Sequence, residues 1–169
     1  MSEPYPELKN HFDGQPSLKR YAEQVTELYH NAPCGYHSLD TDGLFVQIND
    51  TELNWLGYTR SELVGKKQFI DLLTPNSVEV FQQHFSRSSP CQPQGCMHHI
   101  ELEMLRSDGS VIPVLINSTA VKDAEDNYLL IRFTVFNITD RKQTEAALRQ
   151  AYEDLEVRVA ERTSELKQT

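Results

Sequence analysis

Three strand-length segments in the second half of the chain restrict its fold more than any other feature. They run from His98 to Arg106, from Ser110 to Lys122 and from Tyr128 to Ile138. Asp108-Gly109 separates the first two, and the polar residues 124–127 separate the last two; both are turn-forming compositions. The three segments therefore predict an antiparallel meander.

Two more strands and several helices are predicted upstream of the meander. The segment YHSLDTDGLFVQIND, residues 36–50, is typical of a hairpin around a Thr-Asp-Gly turn. Short helical segments between Thr51 and Pro75 are interrupted by glycines, and a full helix is predicted from Ser77 to Ser88. This order predicts an α+β domain, in which short helices cover one face of a five-stranded antiparallel sheet.

Both ends of the chain are predicted to lie outside this domain. Residues 1–16 are polar and rich in proline, which indicates a flexible leader, and residues 17–31 carry the apolar spacing of an amphipathic helix. We expect the sheet domain to occupy residues 32–139 and a long helix to occupy residues 140–169.

Charge and hydropathy exclude two classes of partner. The formal net charge of −9 opposes binding to nucleic acid or to anionic lipid. The apolar segments are shorter than the roughly 20 residues that a membrane-spanning helix needs. With no secretory signal at the N-terminus and three cysteines, an odd number, we expect a cytoplasmic location.

The terminal helix has the apolar spacing of a two-stranded coiled coil. Its seam positions alternate in steps of three and four residues, but Glu145 and Arg162 interrupt the apolar pattern with charges. An Arg in the seam favours a local unwinding, and the helix could then adopt two arrangements. The alternative is a single amphipathic helix packed on its own domain.

Several segments in a fixed order resemble the PAS domains of bacterial signalling proteins. FVQINDTELNWLGYTRSELVGK is similar to the family's strand, Asn and helix segment, LRSDGSVIPVLIN to its Asp-Gly turn between strands, and NITDRK to its closing Asp-Ile-Thr-Glu-Arg-Lys motif. Together they extend from Ala32 to Lys142. The closing motif departs from the family at Asn137, where Asp is usual, and the uncharged Asn side chain cannot form an ion pair.

This resemblance implies a sensory module without catalytic residues, and we expect it to be part of a longer protein. The segment RVAERTSEL resembles the helix that joins PAS domains to sensor histidine kinases of two-component phosphorelays. We therefore expect a signal to pass to a downstream transmitter domain through Asn137, Thr139, Asp140 and Arg141. The chain itself has no Gly-rich nucleotide-binding loop.

A homodimer is the expected assembly, because apolar positions on both flanking helices lack obvious cover within the chain. The expected interface positions are Leu18, Tyr21, Val25, Leu28, Leu115, Leu148, Tyr152, Leu155, Val159 and Leu166.

A small-molecule pocket, where one exists, is expected between the sheet and the helices. Its candidate lining residues are Phe45, Trp55, Phe69, Phe81, Ile100, Leu102 and Ile116. The same residues suffice as a hydrophobic core, and the core is the favoured interpretation.

Metal and haem sensing form the alternative function. Cys91, Cys96 and His98 gather potential zinc ligands, but their spacing is not a standard one. His84 on the long helix is the candidate haem ligand. No cofactor is favoured: the cysteine motif of the light-sensing flavin branch is missing from its expected helix, where GKKQFIDLL stands, and Cys34 is expected to be a small buried apolar residue.

Overall fold

The computed structural model describes residues 18–87, 99–122, 124–125 and 128–167. An N-terminal helix, α1 (Leu18–His30), precedes the hairpin of β1 (Gly35–Leu39) and β2 (Phe45–Ile48). Two short helices, α2 (Asp50–Leu56) and α3 (Arg60–Leu63), and a 3-10 helix (Phe69–Leu72) lead into α4 (Pro75–Arg87). The strands β3 (Ile100–Leu105), β4 (Val111–Lys122) and β5 (Tyr128–Asn137) follow, and α5 (Thr139–Lys167) ends the described chain.

All five strands form one antiparallel sheet in the order β2-β1-β5-β4-β3. The α+β class, the five strands and the two flanking helices that the sequence predicts are confirmed. The last strand of the chain, β5, lies at the centre of the sheet and pairs with both β1 and β4. Because β5 continues into α5, the central strand is joined directly to the terminal helix.

The core lies between one face of the sheet and the short helices. Alternating residues of β3 and β4 are buried, as expected for a sheet with one covered face. They pack against apolar residues of α2, α3, the 3-10 helix and α4. The largest fully buried aromatic side chains are Phe45, Phe69 and Phe133.

Two turns and one strand boundary determine how the elements connect. Gly57 ends α2 with a positive φ of 73°, and its amide donates to the carbonyl of Leu53. Ser107 donates its hydroxyl to the Gly57 carbonyl, which ties the β3–β4 turn to α2. At the start of β3 the expected strand is too long, because His99 has a positive φ of 57° and the strand begins at Ile100. His98, the expected first residue of this strand, lies outside the described residues.

Candidate signalling site and internal cavity

The corner between β5 and α5 is held by a polar side chain and by backbone hydrogen bonds. The side-chain oxygen of Asn137 accepts from the amide of Thr139 at 3.0 Å and from its hydroxyl at 2.6 Å. The amide of the buried Ile138 donates to the carbonyl of Pro113 on β4. Asn137 thus supplies the side-chain acceptor of this corner. An uncharged Asn therefore suffices to form this corner.

A cluster of ion pairs joins the first turn of α5 to β3. Glu101 on β3 is paired with Arg141 through one carboxylate oxygen and with Lys142 through the other, at 2.5 Å. Glu145, one turn further along α5, also pairs with Arg141 at 3.4 Å. The hydrogen bonds from Lys142 and then Arg141 lower the pKa of Glu101 below its usual value. Of the expected relay residues, Arg141 thus contacts the sheet directly.

Beyond this first turn, α5 exposes its apolar residues to solvent. Leu148, Tyr152, Leu155 and Val159 are each more than half exposed. They lie at the expected steps of three and four residues, and no helix of the same chain covers them among the described residues. The side chain of Leu166 lies outside the described residues.

The expected interface residues of α1 and of the sheet are also accessible. Leu18, Val25 and Leu28 are 65% to 89% exposed, and Tyr21 is 47% exposed. On the outer sheet face Leu115 is half-buried, and it is paired in register with the exposed Phe136 of β5. Phe136 thus extends the apolar surface that the sequence indicated.

Asn49 connects four parts of the chain from a fully buried position. Its side-chain oxygen accepts from the amides of Tyr36 on β1 and Glu52 on α2. Its side-chain amide donates to the carbonyls of Tyr29 at the end of α1 and of Cys34 before β1. Asn49 is also the N-cap of α2, so one side chain fixes α1, β1 and α2 relative to one another.

The end of α1 has further polar contacts with α2 and α3. Thr51 donates its hydroxyl to the carbonyls of His30 and Ala32. Arg60 pairs with Asp50 at 2.6 Å and donates to the ring of His30. The C-terminal end of α1 is therefore attached to the domain, although its apolar face remains exposed.

A histidine and a glutamate form a pair inside the core. Nδ1 of His37 on β1 lies 2.8 Å and 3.1 Å from the two carboxylate oxygens of Glu52 on α2, and both side chains are at most 1% exposed. The imidazole ring lies against three phenyl rings, those of Phe45, Phe69 and Phe133, with ring centroids 4.8 Å to 5.1 Å away. Burial, followed by the negative charge of Glu52, raises the pKa of the nearby Tyr29 to about 12.

A cavity of about 380 Å³ adjoins this aromatic cluster. Its buried walls are Leu39, Phe69 and Phe81, and exposed residues such as Asp42 and Gln82 complete it. The remaining lining residues are Asp40, Thr41, Gly43, Gln68, Ile70 and Ile131.

The candidate pocket residues mostly belong to the core. Phe69 and Phe81 line the cavity and are also buried core residues. Trp55 is half-buried against the core. The other four, all buried core residues, are Phe45, Ile100, Leu102 and Ile116.

The candidate cofactor ligands occupy different environments. His84 is exposed on α4, and its Nδ1 lies 2.8 Å from the carbonyl of Val80 in the preceding turn. Cys91, Cys96 and His98 lie outside the described residues. Within the described residues, no group of three or more His, Cys, Asp or Glu side chains could hold a metal ion. Cys34 is buried.

Sequence reasoning missed His37, Glu52 and Glu101. One signal for Glu52 was available: it shares the inner face of α2 with Leu53 and Leu56, a position where an apolar residue is normal. Charged residues are almost never fully buried unless they are paired, so Glu52 required a buried partner. The sequence did not identify His37 as that partner, because the two residues meet only through the packing of α2 on β1.

Comparison with protein families identifies the domain. The family model described as "PAS domain" matches residues 33–140. The chain belongs to the PAS domain family. A PAS domain is a sensory module of signal transduction and is non-catalytic, so any kinase activity would reside in another domain.

Solved structures of PAS domains share this fold. A PAS domain from Colwellia psychrerythraea is 16% identical, with a TM-score of 0.62, over 71% of this chain and 98% of its own. A PAS domain from a two-component sensor histidine kinase is 16% identical, with a TM-score of 0.55, over 70% of this chain and 97% of its own.

Light-sensing domains are also similar in fold. The LOV domain of the blue-light photoreceptor aureochrome1 is 14% identical, with a TM-score of 0.52, over 76% of this chain and 97% of its own. At these identities the similarity establishes the fold and leaves the cofactor open. In the described part of the chain, none of the helices combines the length and apolar character needed to cross a bilayer.

Proposed function

We propose that this PAS domain is the sensory and dimerisation module of a cytoplasmic bacterial signalling protein, a sensor histidine kinase of a two-component phosphorelay. It passes a conformational bias from the sheet through residues 137–141 into α5. A parallel coiled coil of two α5 helices then carries this bias to a downstream transmitter domain.

The observation that carries the proposal is the 29-residue helix α5, which extends directly from the central strand and exposes a periodic apolar seam. An apolar seam with heptad spacing is stabilised when it packs against an equivalent helix. A PAS domain from a two-component sensor histidine kinase shares the fold, which supports the proposal that the downstream transmitter is that of a histidine kinase.

The first turn of α5 is suited to transmit a change in the sheet. Asn137 and the Glu101 ion pairs connect it to β5 and β3, respectively. A displacement of these strands would therefore change the direction of the helix. The charged Arg162 in the seam provides a weak point at which two helical arrangements can exchange.

Sedimentation of the purified chain tests the assembly. We expect a dimer at tens of micromolar, which Leu155→Asp on the seam of α5 converts to monomer. Val157→Asp is the matched control, because Val157 is 58% exposed on the same helix but lies outside the seam. A monomeric wild-type chain, or a dimer that survives Leu155→Asp, would contradict the coiled coil.

Kinase activity of the full-length protein tests the relay. We expect Thr139→Ala or Asp140→Ala to uncouple activity from the stimulus while folding and dimerisation stay nearly intact. Thr144→Ala, further along α5, is the matched control. If both relay variants keep the wild-type response, the signal does not pass through this corner.

A further inference from the structure

The charged positions of the α5 seam distinguish between the two directions in which a pair of these helices can run. Glu145 lies near the start of the seam, and Arg162 lies near its end. In a parallel pair in register, each seam residue faces its own copy. Glu145 would then face Glu145 of the second copy, and Arg162 would face Arg162, so both ends of the seam would carry like charges.

An antiparallel pair places opposite charges at both ends of the same seam. Such a pair has two-fold symmetry, so each contact between two different residues occurs twice. When the helices are centred on each other, the facing residues are Tyr152 with Leu155, Leu148 with Val159, and Glu145 with Arg162. Every layer then combines two apolar residues or two opposite charges. A shift of one heptad in either direction would place Glu145 against Leu155 or Arg162 against Tyr152.

The residues beside the seam also favour the antiparallel direction. Arg149 and Glu156 occupy equivalent heptad positions, each directly after a seam residue, and both are exposed. In a parallel coiled coil these positions face the residues that precede the seam on the other helix, which are Thr144 and Ala151 and carry no charge. In the antiparallel pair they face each other, so Arg149 meets Glu156 of the second copy.

The part of α5 that this pairing requires is accessible. The sheet contact of α5 lies in its first turn, where Arg141 and Lys142 pair with Glu101. The Glu145 side chain is 55% exposed although it contacts Arg141. The four apolar residues of the seam between Glu145 and Arg162 are 55% to 62% exposed. The overlap therefore begins where the sheet contact ends, and it extends for about 25 Å at 1.5 Å per residue.

We propose that the α5 seam pairs antiparallel with a second copy of this chain, in a dimer that competes with the parallel dimer of the proposed function. The apolar layers stabilise either pair, and the charges select the direction. In the antiparallel dimer the two PAS domains lie at opposite ends of the helix pair, and the seam that the relay requires is occupied. This dimer is therefore a resting form, and only that regulatory role rests on the proposed function.

Charge reversal at the two ends of the seam tests the direction. In sedimentation equilibrium, we expect Glu145→Arg or Arg162→Glu alone to weaken the dimer about tenfold, because each turns two attractive contacts into repulsive ones. The double variant should bind within about threefold of the wild-type chain, because opposite charges face each other again.

Recovery in the double variant requires antiparallel helices. The two positions are about 25 Å apart along one helix and equally far apart along a parallel pair, which exceeds the Debye length of about 8 Å at physiological ionic strength. The loss of the contact between Glu145 and Arg141 cancels in this comparison, since it occurs with either residue at position 162. Glu161→Arg is the matched control outside the seam and should leave the dimer unchanged. Additive losses in the double variant, or no loss in either single variant, would overturn the proposal.

Distances between spin labels give a second readout with the seam intact. With the three native cysteines replaced by alanine, labels are attached in turn to Asp154→Cys and Glu161→Cys, at exposed positions one heptad apart. A parallel dimer gives equal distances at the two positions. In the antiparallel dimer the labels at position 154 lie nearly level, whereas those at position 161 are displaced by about 22 Å along the helix axis. Equal distances would contradict the antiparallel pair.

A failure of this inference is distinguishable from a failure of the proposed function. A dimer with additive charge effects and equal label distances refutes the antiparallel form and agrees with the parallel relay. A monomeric wild-type chain refutes both dimers. The response to the stimulus is measured separately, as kinase activity of the full-length protein.

Discussion

Replacing Asn49 by alanine should destabilise the domain far more than a typical polar substitution. The side chain is 0% exposed and makes four hydrogen bonds to backbone groups of α1, β1, α2 and the segment before β1. Loss of the N-cap of α2 costs about 1 kcal/mol. The carbonyls of Tyr29 and Cys34 each lose a donor, at about 1 kcal/mol apiece. We therefore expect the free energy of unfolding to fall by about 3 kcal/mol.

Urea unfolding followed by circular dichroism measures this loss. With an m value of about 2 kcal/mol/M, typical of small domains, the midpoint should fall by about 1.5 M. All variants are compared at one protein concentration, because a dimer's stability depends on concentration. Asn49→Ser, which retains the acceptor but removes both amide donors, should lose about 2 kcal/mol.

Asn54→Ala is the matched control for this experiment. Asn54 lies on the same helix α2 and is exposed, so its replacement should change stability by less than about 0.5 kcal/mol. A loss below about 1 kcal/mol in Asn49→Ala would refute the reasoning, since the buried groups would then have found other partners.

Three further predictions concern a buried phenol, a tight turn and the helical seam. Because the pKa of Tyr29 is raised from 10.0 to about 12, the folded state holds this proton more tightly than the unfolded chain, and stability should fall as the pH rises from 10 towards 12. Between pH 10 and pH 12, the urea midpoint should fall less steeply with pH in Tyr29→Phe than in the exposed control Tyr152→Phe. Gly57→Ala should lower the free energy of unfolding in urea by about 2 kcal/mol, and by more than Gly109→Ala. Both glycines have a positive φ, but of the two only Gly57 would bring an added Cβ against another atom, 2.6 Å away. Equal losses in the two variants would exclude that contact. Arg162→Leu should raise the melting temperature of the dimer and lock one output level, whereas Glu161→Leu outside the seam should do neither.

Local patterns in the sequence predict most of the fold. The turns at Asp108-Gly109 and in the first hairpin define strand lengths, and alternating apolar residues determine which face of each strand is buried. Strand ends were less well predicted, and β3 illustrates the reason. His99 continues the expected strand in sequence, but its positive φ prevents it from continuing in structure.

The candidate site was predicted only where it depends on neighbouring residues. The corner at Asn137 and Thr139 is a local turn within two residues, so its position follows from the NITDRK motif. The contacts of Glu52 with His37 and of Glu101 with Arg141 join residues 15 and 40 positions apart. Such pairs depend on how α2 packs on β1 and how α5 leaves the sheet, which no local pattern encodes.

The polar anchors of the two flanking helices differ in their exposure, which has a consequence for dynamics. Asn49 holds the end of α1 from inside the core, where water does not compete for its hydrogen bonds. Glu101 holds the first turn of α5 at the surface, where its side chain is 43% exposed. Surface ion pairs contribute little to stability, so this turn of α5 can change position at lower cost than α1.

Replacing Glu101 by glutamine should therefore loosen the start of α5 without unfolding the domain. The carboxylate is shared by Arg141 and Lys142, and two exposed ion pairs contribute about 1 kcal/mol in total. Loss of that energy should speed hydrogen exchange about fivefold at the Lys142 amide, which donates to the carbonyl of Ile138. Glu103→Gln is the matched control, because Glu103 lies two residues away on the same face of β3 and, among the residues that the structure describes, forms no ion pair with α5. Since the pKa of Glu101 is lowered by its two cationic partners, the ion pairs persist below the usual carboxyl value of 4.5 and are lost only in stronger acid. The wild-type chain should then exchange as fast as Glu101→Gln at that acidity, after correction for intrinsic rates. Equal exchange in Glu101→Gln and Glu103→Gln at neutral pH would show that Asn137 and the backbone alone hold the helix to the sheet.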